Sequence, residues 1–383
     1  MSARPRLLIL SFSPLHRDAR LLKQINGFAD RYDVTTCGFG PSPRPDITHL
    51  RVDELKTRAS SIVSRCNDAL LALRLYGAVY RWTGYVREAR ALLTGKVFDA
   101  VLADDLDAVP LAVELFGSRR VHADLHEHWP TVRGHDAKWK LLRAGYYRWL
   151  VRRFASGAAS VTTVSQGIAE EYTREFGMPV GVVTNAAPFR EAEPLPTQSP
   201  LRLVYSGVAA EDRGIESIIQ ASGRTTIPVV LTLFLVGGSE AYLSSLRTLA
   251  DDVDAPIVFR DAVPYEQLHD RLREHDLGFY APPPINVNHS LALPNKVFDF
   301  VQARLGLIVG PSAEMARMVT TANLGIVTAD FGVQALVDAL NTLSPQAVDG
   351  YKAASHAVAE HLSAERQQTG WELPIEKILS TDG

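Results

Sequence analysis

The strongest constraint in this chain is an alternation that runs through it twice. Short runs of β-favouring apolar residues recur, each followed by a stretch with helical periodicity. In the first half the runs fall at residues 6–11 (RLLILS), 33–37 (DVTTC), 98–103 (FDAVLA), 120–125 (RVHADL), 160–164 (SVTTV) and 181–184 (GVVT). Helical patterns such as 18–30 and 166–176 lie between them. Nearly continuous apolar runs suit strands covered on both faces, and strand–helix alternation builds βαβ units and parallel sheets. Residues 188–200 (PFREAEPLPTQSP) interrupt the pattern with four prolines and no periodicity, as a linker does. It then restarts, with strands expected at 201–206, 229–236, 256–259, 277–280 and 307–310. Helices are expected at 215–221, 242–249, 265–273 and 295–303. The expected fold class is α/β: two doubly wound, Rossmann-like domains facing across a cleft. The expected divisions are a domain at 1–188, a linker at 189–200, a domain at 201–345, and a helical segment at 346–383 packing back towards the first domain. Open α/β sheets bind ligands at the carboxyl ends of their strands, so candidate residues are sought there.

Composition narrows the function. Of 383 residues, 46% are hydrophobic, enough for full cores, and the formal net charge is −3, which does not suit a nucleic-acid binder. Two cysteines, Cys37 and Cys66, make no disulfide framework, so a reducing cytoplasm is the expected setting. The apolar run at residues 7–10 is too short for a signal-peptide core or a membrane span, and no later stretch is long enough to span.

Two motifs in the second half carry anion-binding chemistry. In YSGVAAEDRGIES (205–217) a strand ends, Gly207 opens a tight loop, and Arg213 and Gly214 precede a helix. Glycine lets backbone N–H groups approach an anion, and a helix N-terminus favours negative charge. An ordinary βα loop with a solvated arginine has the same sequence signature. In LALPNKVFDFVQARLGLIVG (291–310), Pro294 or Asn295 opens a helix. Asn295, Lys296 and Asp299 then fall within one turn, offering a cation and free amides to phosphate and a carboxylate to ribose hydroxyls. A surface Lys296–Asp299 pair on a core helix is the plainer reading.

These residues resemble the GT-B glycosyltransferases, specifically the large retaining family four. The resemblance puts Arg213 where that family's diphosphate-binding lysine stands, Asp299 at its ribose-binding acid, and Gly237 and Gly238 (FLVGGSE) at its glycine-after-strand position. Gly207, Pro294, Asn295 and Lys296 complete the implied donor set. The chain departs from the pattern at Val208, where an arginine is usual, at Leu291, where the first of two glutamates falls, and at Arg304, where a glycine is usual. It looks like a branch with a Leu-Pro-Asn-Lys helix, in which Asn295 and Lys296 compensate.

The first half resembles the family's acceptor side. Asp18 and Arg20 match its Asp-x-Arg signature, ADDLDAVPLA (103–112) its strand-end acidic pair, and DLHEHWP (124–130) its Asp-x-His-Glu segment. Residues 165–188 match its Val-Ser-x-x-Ile helix and proline exit, with Thr184 in place of the first proline. The implied acceptor-side residues are Asp18, Arg20, Asp105 and His126, and the implied catalytic residues are Arg213, Lys296, His126 and Glu127. Asp104, Asp105 and Asp107 invite a cation, but helix capping by Asp105 or Asp107 before residues 108–112 is the favoured reading. His122 is expected to pack within its strand.

Residues 138–154 (KWKLLRAGYYRWLVRRF) mix six basic residues with five aromatics. Such a helix either lies on an anionic membrane surface at its inner face, or packs Leu141, Tyr147, Trp149 and Val151 inward. Residues 60–93 form a long helical region outside the Rossmann pattern. The function implied by the resemblance is retaining transfer of a sugar from a nucleotide diphosphate to a saccharide, lipid-linked or small-molecule acceptor, with no metal or other cofactor. A sugar-nucleotide epimerase of the same fold and a non-catalytic nucleotide-sugar-binding partner are the alternatives.

Overall fold

The computed structural model describes residues 4–54, 61–134 and 136–381, and only the backbone of residues 61–65. The chain forms two compact units. The first comprises Met1–Thr184, Asn286–Asn288 and Gln368–Gly383; the second comprises Asn185–Ile285 and His289–Gln367. Residues 189–200 have no regular structure and belong to the second unit.

In the first unit the strands are β1 (Arg6–Pro14), β2 (Asp33–Phe39), β3 (Thr48–Val52), β4 (Ala100–Asp104), β5 (Val121–Leu125), β6 (Ser160–Thr163) and β7 (Gly181–Val182). They pair in parallel in the order β3-β2-β1-β4-β5-β6-β7. Strands β4 and β5 are buried along their whole length, which explains why they are mostly apolar and why their polar residues, Asp104, His122 and Asp124, are all hydrogen-bonded inside the unit. Leu7, Ile9, Ala100 and Leu102 pack against Leu21, Ile25 and Phe28 of the helix Ala19–Ala29 and against Trp371 and Ile375 of the helix Ala364–Thr381.

The second unit contains β8 (Leu201–Val208), β9 (Val229–Val236), β10 (Ile257–Asp261), β11 (Leu277–Tyr280), β12 (Gly306–Val309) and β13 (Gly325–Val327), all parallel, in the order β10-β9-β8-β11-β12-β13. Its core joins Leu203, Leu231, Phe279 and Leu307 to Ile218, Val297, Phe298 and Leu336 from the covering helices. Beneath the sheet, Lys352 Nζ meets Asp276 Oδ1 at 3.0 Å, with both side chains almost fully buried.

In each sheet the order reverses direction beside the first strand of the unit: between β1 and β4, and between β8 and β11. A crevice opens at such a switch point because the loops on its two sides run to opposite faces.

The departure at Arg304 has a structural reason. Arg304 takes the left-handed conformation (φ 61°) that usually selects glycine. Its buried guanidinium donates to Val301 O, Gln302 O and Arg190 O, closing the end of the helix Asn295–Gln302 and fixing the segment that leads into the unit. Those bonds offset the backbone strain.

Residues 60–93 form three helices, Ser61–Ala72, Tyr76–Trp82 and Gly84–Leu93; residue 60 lies outside the described residues. Among the described residues, no helix is long and apolar enough to cross a membrane.

Candidate functional site

At the switch point of the second unit, β8 delivers Ser206, Gly207 and Val208 to its carboxyl end. A methyl group added to Gly207 would lie 3.0 Å from Tyr205 Oη and 3.4 Å from Lys296 Cε, so the absence of a side chain lets Lys296 lie along this backbone. Lys296 stands in the first turn of the helix Asn295–Gln302, whose N-cap, Pro294, makes no side-chain capping bond. The helix therefore presents uncapped N–H groups and a partly exposed ammonium together. Lys296 has no carboxylate partner among the described residues. Asn295 is exposed beside it.

Arg213 reaches the same place from the loop after β8. Its guanidinium stands beside the Tyr280 hydroxyl at the end of β11, where its charge opposes the effect of burial on that group, and its Nε lies 3.5 Å from Asp212. Tyr280 stacks on Tyr205 with ring centres 6.2 Å apart. Gly214 follows in the left-handed conformation, close against Ala281 O and Pro283. Gly237 and Gly238 follow β9, both with positive φ. A side chain on Gly238 would collide with Ala209, whereas Gly237 faces open space.

Of the sequence-derived donor residues, Gly207, Arg213, Pro294, Asn295 and Lys296 thus gather around the β8–β11 crevice, with Gly237 and Gly238 bordering it through Ala209. Asp299 sits deeper. It is buried, and its Oδ1 accepts from Tyr265 Oη at 3.0 Å. With Arg190, His269 and Gln302 it borders a cavity of about 20 Å³, room for roughly one water. Tyr205, Tyr280 and Tyr265 were not among the sequence candidates; the aromatic residues ending β8 and β11 were the available signal.

The switch point of the first unit is built differently. Asp18 caps the helix Ala19–Ala29, accepting from the N–H groups of Arg20 and Leu21, and also takes the Ser13 hydroxyl. Arg20 is buried beneath. Its guanidinium grips Asp124 with two bonds of 2.8 Å and donates to Val183 O. Asp124 also accepts from Gln24, Thr162 and Trp371. Burial opposes its charge, but Arg20 outweighs burial and holds the carboxyl below its usual range. Arg20 therefore supports the site from below rather than facing it.

His126 follows β5. Its Nε2 lies 3.1 Å from Asp104 Oδ2, and Asp104 also accepts from Ser11 and Gln24. Burial disfavours the imidazolium, yet Asp104 overrides it and raises His126 to about 10. Glu127 is exposed beside it. A raised folded-state value means that His126 contributes most to stability below its ordinary 6.5, and that this contribution fades as pH climbs through about 10. The melting-temperature gap between wild type and His126→Gln is therefore expected to shrink from pH 6 to pH 10. A gap that does not change with pH contradicts the pairing.

Ligand atoms of Asp104, Asp124 and His126 lie within 4.8 Å of one another, a spacing a metal ion would accept. The donor set does not fit one. Five donor hydrogen bonds already converge on Asp124, and the Arg20 guanidinium supplies the positive charge. The expected capping role of the acidic run is corrected. Asp105 has φ 70° and accepts from Leu106 N and Trp129 Nε1, and the helix Val109–Phe116 starts from Ala108 with no side-chain cap. The tight turn after β4 aims Asp105 away from the helix. Asp107 is pushed up to about 7, first by burial and then by Asp105. His122 packs within its strand between Ser160 and Thr162, as expected.

No family model matches the sequence, and no curated protein matches it. Solved structures do. HepE from Anabaena, in complex with UDP-glucose, is 14% identical with a TM-score of 0.68, and the match covers 99% of this chain and 100% of that one. Sucrose-phosphate synthase from Thermosynechococcus elongatus is 12% identical with a TM-score of 0.73, covering 99% and 100%. The trehalose 6-phosphate synthase from Burkholderia multivorans is 11% identical with a TM-score of 0.66, covering both chains fully. These neighbours are GT-B glycosyltransferases, and at such identities the likeness speaks for the fold: the chain has the GT-B architecture, with two parallel-sheet α/β units.

Proposed function

We propose that this protein is a retaining glycosyltransferase that takes its sugar from a nucleotide diphosphate. The observation that carries the reading is Lys296: an ammonium without a carboxylate partner among the described residues, lying along Gly207 at a switch point, on an uncapped helix N-terminus. A diphosphate is the ligand chemistry that such a cradle recognises. Neighbours of the same fold supply a parallel, since HepE was solved with UDP-glucose and with UDP.

In the proposed mechanism the second unit holds the donor. As the bond from the anomeric carbon to the diphosphate oxygen breaks, negative charge grows on the leaving group. Lys296, Arg213 and the amides at the start of the helix Asn295–Gln302 stabilise that charge, already oriented before reaction. The acceptor hydroxyl attacks from the face the diphosphate leaves, so anomeric configuration is retained. Its proton passes to the departing phosphate oxygen, which balances the exchange. No metal takes part in this scheme, because the two cations carry the diphosphate charge. The switch point of the first unit, with Asp18, Asp105, His126 and Glu127, receives the acceptor: a saccharide, a lipid-linked sugar or a small molecule in glycoconjugate or natural-product synthesis.

The test is turnover. Purified protein is incubated with a panel of nucleotide sugars, with and without a mixture of saccharide and lipid-linked acceptors. Release of nucleoside diphosphate from one donor, accelerated by an acceptor, is expected. Interconversion of UDP-N-acetylglucosamine without an acceptor would assign the protein to epimerase chemistry instead, and binding without any turnover to a non-catalytic role.

A further inference from the structure

We propose that one face of the first unit docks on a bilayer containing anionic lipids. The face is made by the helices Ser61–Ala72, Tyr76–Trp82 and Ala144–Arg153, together with the π-helical turn Trp139–Arg143. Tyr76 ties the elements together, packing its ring against Tyr146 and Trp149. Between them runs an open groove of about 830 Å³.

Two kinds of side chain crowd this face. Arg74, Lys140, Arg152 and Arg153 line the groove and have no carboxylate partner among the described residues. The neighbouring carboxylates are already engaged: Asp68 by Lys138, Glu175 by Arg148 and Glu114 by Arg90. Large apolar groups on the same elements are turned to solvent: Leu141 lines the groove, Leu73 and Leu75 flank Arg74 in the chain, and Trp82 ends the helix Tyr76–Trp82. Leu141 is 82% exposed, Leu73 69%, Trp82 65% and Leu75 51%. The inward packing expected of residues 138–154 holds for Tyr147 and Val151, which are buried, but not for Leu141, which points out. The turn Leu73–Arg74–Leu75, with Arg74 at φ 57°, pushes two leucines and a guanidinium outward together.

The chemistry of the partner follows from that mixture. A soluble polyanion would pair the cations and leave the leucines in water. An apolar protein surface would cover the leucines and leave four charges unpaired. An anionic bilayer satisfies both: its phosphates meet the lysine and arginine heads while the apolar side chains enter the acyl boundary. Tryptophan favours that same interfacial depth.

The test is co-sedimentation of the full chain with vesicles, and it is independent of donor binding. Neutral phosphatidylcholine vesicles are compared with vesicles carrying about a third phosphatidylglycerol, a strongly anionic surface. Binding to the anionic vesicles alone, weakening as salt screens the charges, is expected. Lys140→Glu and Arg152→Glu are each expected to weaken it by about fivefold or more. Leu141→Glu is expected to weaken it as well, with melting temperatures unchanged in all three variants. Failure to bind either vesicle, equal binding to both, or wild-type binding by Leu141→Glu would overturn the proposal. So would a concentration-dependent dimer, seen by light scattering and abolished by Leu141→Glu, which would assign this face to a second copy of the chain.

Discussion

Lys296→Ala is expected to slow sugar transfer by about a hundred- to a thousandfold, the usual loss when one preorganised charge-stabilising group is removed. Stability should stay within about 0.5 kcal/mol of wild type, because Lys296 is partly exposed and holds no ion pair among the described residues that its loss would break. The effect should fall mainly on kcat. Charge on the diphosphate grows as the glycosidic bond breaks, so the ammonium acts more strongly on the transition state than on the bound donor. Arg213→Ala should act in the same direction but less strongly, since Arg213 divides its interactions between the crevice, Tyr280 and Asp212. Steady-state kinetics with the donor varied, alongside a thermal melt, checks both. Full activity in both variants would remove the diphosphate from this crevice.

The second large effect concerns stability. Arg20→Met is expected to destabilise the first unit by about 3–5 kcal/mol, the cost of leaving one partner of a buried ion pair uncompensated. Asp124 is inaccessible to water and would keep as hydrogen-bond donors only the neutral groups of Gln24, Thr162 and Trp371, with the charge of His126 nearby but not bonded to it. Arg20→Lys should fall between, keeping the charge while losing the two-bond grip and the bond to Val183 O. The double variant Arg20→Met with Asp124→Asn should recover much of the loss, because no bare charge remains. Thermal melts of the four proteins decide it. A single Arg20→Met variant as stable as wild type would show that the pair does not hold the first unit together.

The interior strands were legible because each is buried on both faces: β11 and β12 carry no charged residue, and β4 and β5 are apolar except at Asp104, His122 and Asp124, whose polar groups find buried hydrogen-bond partners. The edge strands β3 and β13 were missed. Both are largely half-exposed, so their sequences carry neither a continuous apolar run nor a clear alternation. The long helical region after β3 is legible in kind, but where it divides is not. Its breaks fall at Arg74 and Thr83, residues that do not announce a turn as proline would.

The donor crevice was visible because its parts are local: a glycine at a strand end, a basic residue before a helix, a lysine in a first turn. The meeting of Lys296 with Gly207 was not visible, since it depends on β8 and the helix Asn295–Gln302 being neighbours in the folded unit. The network under the first unit's switch point was harder still. Trp371 and Asp124 are 247 positions apart, and only the return of the last helix to the first unit joins them. Asp299 shows the converse. Its spacing from Lys296 is as read, but Tyr265, from another helix, engages its carboxylate.

The central claim is that the crevice between β8 and β11 binds a nucleoside diphosphate through Lys296. The most direct measurement is a thermal-shift titration of wild type and Lys296→Ala with UDP, GDP, TDP and ADP, each beside its monophosphate. A ligand that binds only the folded state raises stability by about 2.7 kcal/mol at a hundred times its Kd. One diphosphate is expected to raise the wild-type melting temperature saturably, its monophosphate to do so less, and Lys296→Ala to lose most of the shift. No response to any diphosphate, or an equal response in Lys296→Ala, would contradict the claim.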